Sequence, residues 1–143
     1  MTGVSGSVAA VMKPAGVEKS KGLITAIYAK DSTDSRWKDD PGFKEFSAFV
    51  MKYLSPVVLA DAFAVYGFNV AATMVQVLKQ CGNDLSRENI MRQAANLRDL
   101  GLPMLLPGIK INTSPDNFYP IRQMQLAMFN GSSWEAFGGI ISS

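Results

Sequence analysis

The chain has 143 residues, enough for one domain with its own core, and 48% of them are hydrophobic. Fourteen basic and 12 acidic residues, spread along the chain for a formal net charge of +2, leave no basic stripe for a phosphate backbone, which excludes nucleic acid as a partner. With no His, catalytic triads and dyads built on imidazole and zinc sites built on His are also excluded.

In chain order, residues 5–13 (SGSVAAVMK) predict a short helix capped by Ser5 or Ser7 and stopped by Pro14 with Gly16. Residues 22–28 (GLITAIY) are rich in β-branched and aromatic side chains and predict a buried strand, followed by the turn-forming KDSTDS. Asp40 as cap, Pro41 at the first helical position, and Phe43, Phe46, Phe49, Val50 and Tyr53 at helical spacing predict a helix over Pro41–Tyr53.

A longer helix is predicted over residues 62–80, with Phe63, Tyr66, Val70, Met74, Val77 and Leu78 as its core stripe and Gly82 as its stop. The apolar runs at 54–66 and 70–78 are interrupted by Pro56, Asp61, Gly67 and Gln76, so no transmembrane helix is expected. A third helix is predicted from Ser86, with Leu85 and Ile90 as a staple, ending at Gly101 and Pro103. A further short strand at 109–111 precedes a terminal hairpin over 121–141, in which Met124, Leu126 and Met128 alternate with polar or small residues and Asn130-Gly131 supplies the turn. So many helices on so few strands predict an α/β chain whose sheet is incomplete.

Cys81, the single cysteine, reads as a half-buried structural thiol; it has no partner for an intrachain disulfide. Asp31, Asp34, Asp39 and Asp40 lack the spacing of a calcium loop and read as solvated turn and helix caps. No acid-base pair, metal set or phosphate loop is recognisable, so no enzymatic activity and no cofactor are expected. Residues 1–5 show no basic segment followed by an apolar run, so no export signal is expected in the chain as given.

Several strings together resemble one family. They are KPAGVEKSKGLITAIYAKD, DSTDSRW, KDDPGFKEF, FAVYGFNVAATMVQVLKQCG, LSRENIMRQAANLRDLGLPMLLPGIKINTSP and the closing FYPIRQMQLAMFNGSSWEAFGGII. In this order they are similar to the C-terminal part of type I periplasmic solute-binding proteins of the branched-chain amino acid ABC transporter group. The resemblance implies a single fragment-like domain over 1–143, namely the C-terminal portion of a two-lobed fold with helices on an incomplete sheet and a terminal β-hairpin. It implies a periplasmic protein that closes on a small solute and delivers it to an ABC permease.

By the same resemblance Phe63 falls where the family places an aromatic side chain against the ligand. Tyr66, one turn on, and Ser5, in a ligand-facing loop, complete the expected ligand-binding set. The family's acidic ammonium-binding position falls near Ser5, where no carboxylate stands. The implied solute is therefore a branched-chain or other hydrophobic amino acid or a related organic or aromatic acid. A homodimer is expected, because a second copy would cover helix faces that an incomplete sheet leaves bare. The alternative is a self-associating structural fragment that binds no solute.

Overall fold

The computed structural model describes residues 7–143; Ser5, one of the expected ligand contacts, lies outside them. Ser7 caps the first turn by accepting a hydrogen bond from the Ala10 amide, and the chain runs through a wide π-helical turn, Val8–Met12, into α1, Lys13–Ala15. Pro14 therefore does not stop this segment. It occupies the first turn of α1, where its missing N–H costs nothing, and Gly16 with φ of 95° ends the run. A second short helix, α2 (Val17–Ser20), leads to β1, Ile24–Ile27.

Helix α3 spans Pro41–Tyr53, as expected, with the Asp40 carboxylate accepting from the Phe43 amide. Helix α4 spans Ala62–Cys81 and α5 spans Arg87–Ala94 behind a Ser86 cap. α5 ends well before Gly101. Leu85 is exposed, so its expected staple onto Ile90 is not a buried contact. Beyond α5 the backbone is held at long range: Leu100 and Ile111 exchange both amide hydrogen bonds, and the Thr113 hydroxyl donates to the Ala94 carbonyl while accepting from the Leu97 amide. The expected strand at 109–111 is thus reduced to a bridge at Ile111.

Strands β2 (Gln123–Phe129) and β3 (Trp134–Ser142) form the expected hairpin, and β1 joins β2 to give an antiparallel sheet of order β1-β2-β3. Met128 is exposed, whereas Ala127 and Phe129 are fully buried, so the inward face at this end is opposite to the expected one. The register shifts between Gln125 and Leu126, where the pairing on β3 jumps from Ile140 to Phe137 past Gly138 and Gly139.

Three clusters make the core. Val8 and Met12 cover Ala127, Phe129 and Trp134 on the sheet; Phe46 and Val50 of α3 meet Val65 of α4 and Met104; Val77 and Cys81 of α4 meet Leu97, Leu105, Leu106, Ile109 and Ile111. Cys81 is buried rather than half-buried.

The inward side of α4 is formed by Val65, Asn69, Val77 and Cys81. The expected core stripe is reversed: Phe63, Tyr66, Val70, Met74 and Leu78 are exposed, and only Val77 is buried. α4 is 20 residues long and apolar, and by length and composition alone it meets the requirement for crossing a bilayer, contrary to the sequence expectation. Its Asn69 is buried among protein contacts, and its C-terminus is tied to α5 by Asn89, whose side-chain amide donates to the Cys81 and Asp84 carbonyls.

Candidate functional site

β1 leads straight into the candidate site. Past its last residue the chain stays extended and pairs with 104–106, the Leu106 amide donating to the Tyr28 carbonyl and the Lys30 amide to the Met104 carbonyl. This fixes Tyr28, Lys30 and Asp31 against the start of α4. A cavity of about 120 Å3 opens there, lined by Ser7, Tyr28, Lys30, Asp31, Ser32 and Tyr66, with Ile27, Ala62, Val65 and Trp134 among its apolar walls.

The electrostatics of this cavity rest on two adjacent charged residues that are used differently. The Lys30 ammonium donates to Asp40 Oδ1 at 2.5 Å and to the Pro103 carbonyl at 2.7 Å, so its charge is committed to the scaffold. Asp31 Oδ1 accepts from the Thr33 amide and hydroxyl. Its second oxygen, Oδ2, is buried without a hydrogen-bond partner, so Asp31 is a turn cap as expected but not a fully solvated one. The Asp31 side chain also borders a third cavity, of about 250 Å3, shared with Asp34, Arg36 and Trp37.

A second cavity, of about 380 Å3, runs along α4 from Tyr66 toward Met74 and Val77 and is roofed by Leu97, Thr113 and Phe118. Tyr28 and Tyr66 line both this cavity and the first one. Burial pushes the Tyr28 phenol upward, and the neighbouring Tyr66 adds to the shift, so Tyr28 stays neutral across the physiological range.

Tyr66 thus stands where two cavities meet. Phe63 is 78% exposed and is not among the residues lining either of them; its amide donates to Asp61, which caps α4. The sequence reading missed Asp31 as a candidate ligand group, and it missed Asn69, which is buried in α4 with neither side-chain amide atom hydrogen-bonded. The spacing of Asp31 and Asn69 carries no signal for this. Both have meaning only once burial is known.

No family model matches the sequence, and no curated protein matches it. Among solved structures, the chain is similar to a branched-chain amino acid ABC transporter from Thermus thermophilus with bound valine, at 14% identity and a TM-score of 0.73. The match covers 93% of this chain and 36% of that one, so the chain spans about a third of the neighbour's length. Its fold is that of a fragment of a type I periplasmic binding protein, as the sequence strings implied.

Proposed function

We propose that this chain is a solute-binding component, or part of one, of an ABC-type uptake system, and that its solute is a small amino acid with an apolar side chain. The observation that carries the reading is Asp31, a carboxylate with one buried oxygen that no protein donor reaches, on a residue lining a cavity that has apolar and aromatic sides. An ammonium group is the natural complement to such an oxygen, and a modest rotation of the Asp31 side chain presents it. The solute's apolar side chain then meets Tyr66, Ile27 and Trp134. Its carboxylate finds the Ser7 and Ser32 hydroxyls and the positive end of α4 at Ala62, because Lys30 is already paired.

In this reading Asp31 supplies the acidic group that the sequence lacks near Ser5, Tyr66 forms the aromatic wall, and Phe63, exposed outside the cavity beside Ala62, reaches the solute only on closure. Binding is coupled to closure and not to bond chemistry; the partner is an ABC permease and the compartment is the periplasm. The solved neighbour, a branched-chain amino acid ABC transporter with bound valine, supports the choice of solute class. Calorimetric titration with L-valine, isovalerate and isobutylamine tests it: the amino acid binds best, and each compound lacking one charged group binds at least tenfold more weakly. Equal heats from all three contradict the assignment.

A second reading is favoured by one observation. The outward side of α4 bears Phe63, Tyr66, Val70 and Met74, all exposed, and α3 adds Phe49 and Tyr53. A two-fold pair of chains buries these faces. Since β2 already pairs with β1 of its own chain, face-to-face packing serves this purpose without exchange of the hairpin.

A further inference from the structure

The Asn69 side chain sits in a position that the solute site does not explain. The residue is 7% exposed, and its Oδ1 and Nδ2 have no hydrogen-bond partner. It lies on the wall of the cavity of about 380 Å3 beside α4. A buried primary amide with neither bond made is costly, and α4 would lose nothing of its pattern with Leu at this position.

The cavity around it is chemically distinct from the Asp31 site. No charged side chain lines it: its walls are mainly apolar, with Val77, Leu97 and Ile111 inside and Met74, Met91 and Phe118 at the rim, and besides Asn69 the polar side chains on them are the hydroxyls of Tyr28, Tyr66, Thr73 and Thr113. A zwitterion has no counter-charge there and would bear the full cost of desolvation. A single water cannot fill the space, since one water takes about 30 Å3 in the liquid, and a water cluster would have to wet walls that are mainly apolar.

We propose that this cavity is a second ligand site, adjoining the solute site at Tyr28 and Tyr66, for an uncharged and largely apolar small molecule that carries one amide-like edge. The amide of Asn69 offers a donor and an acceptor side by side, which an amide or lactam edge matches with two hydrogen bonds. Both groups are buried as they stand, and a turn of the Asn69 side chain about its Cα–Cβ bond brings the amide from the wall toward the cavity. The two flexible methionines at the rim adjust to the ligand's apolar body.

The test is 13C-methyl NMR of the full chain, with Met74 and Met91 as reporters in the cavity and Met51, exposed on α3, as the distant control. Benzamide is the probe, compared with toluene, benzoate and benzylammonium. Benzamide is expected to shift Met74 and Met91 saturably and to leave Met51 unmoved, while benzoate and benzylammonium do neither. In Asn69→Leu, which removes an unpaired polar group and so keeps the fold, benzamide binding falls tenfold or more and toluene binding is retained. In Met74→Trp, which fills the groove, both are lost. An Asp31→Asn chain binds benzamide unchanged, so failure of the solute reading leaves this result standing. No shift at Met74 and Met91, or equal benzamide affinity in wild type and Asn69→Leu, overturns the proposal.

Discussion

Lys30 and Asp40 form an ion pair at 2.5 Å that joins the extended chain after β1 to the N-cap of α3, with the Lys30 side chain only 6% exposed. The same Lys30 donates to the Pro103 carbonyl, so one ammonium fastens three segments and holds the neighbouring Asp31 in place.

Acid should release this fastening. Burial alone would raise the Asp40 carboxyl, but the hydrogen bond from Lys30, the amides of Phe43 and Gly42 and the Lys30 charge outweigh it and hold Asp40 below its ordinary value. A depressed folded-state value means that the contribution is complete above the unfolded carboxylate range and is lost as pH falls from about 3.9 through the folded value. Urea unfolding from pH 6 to pH 2 should show a loss of stability that is smaller in Asp40→Asn, where only other lowered carboxyls such as Asp84 remain to be protonated. Lys30→Met should cost about 1–3 kcal/mol at pH 7, since it leaves a partly buried carboxylate without its cation.

Gly42 touches the same junction. A Cβ built on it falls 2.0 Å from the Pro103 carbonyl oxygen, and the obstacle is backbone rather than a flexible side chain. Gly42→Ala should therefore destabilise the chain by about 1–3 kcal/mol even though Ala is the better helix former, because α3 and the 103 segment must separate. A midpoint equal to or above wild type in urea denaturation would show that the contact relaxes freely.

Phe63 and Phe46 separate surface from core. Phe63 is 78% exposed and Phe46 is 1% exposed. Phe63→Ala should change stability by no more than about 0.5 kcal/mol, whereas Phe46→Ala should cost about 3–5 kcal/mol. If Phe63 closes over the solute, Phe63→Ala weakens valine binding severalfold at unchanged melting temperature. Unchanged affinity would remove Phe63 from the site and leave Tyr66 as its aromatic wall.

The proposed dimer is tested by sedimentation equilibrium at micromolar concentration. On the self-association reading, in which the α4 face and the groove beside it are covered by a second copy, the wild type is a dimer, and Val70→Glu with Met74→Lys yields monomers that remain folded. A wild-type monomer with a single cooperative unfolding transition would show that the chain tolerates its exposed α4 face alone.

Local signals were readable where local chemistry decides. Asp40, Pro41 and the aromatic spacing placed α3 correctly, and the Asn130-Gly131 turn between alternating runs placed the hairpin. The buried side of α4 was not readable, because a helix apolar nearly all round offers two candidate faces and only tertiary partners choose between them. The choice fell on Val65, Asn69 and Cys81, so large aromatic side chains stayed outside and a polar amide went in. The end of α5 was missed for a related reason: residues 95–114 draw their hydrogen bonds from distant segments, such as Leu97 from Thr113, which no local pattern records. Asp31 looked like any turn aspartate, and only the burial of Oδ2 distinguishes it.

The most direct test of the central claim is calorimetric titration of L-valine into the wild-type chain and into Asp31→Asn. The account predicts saturable binding with a Kd of about 1 mM or tighter, or roughly −4 kcal/mol, in the wild type, and a loss of tenfold or more in Asp31→Asn at unchanged melting temperature. Binding of equal strength in the two chains, or no binding to the folded wild type at 10-fold higher valine, would contradict it.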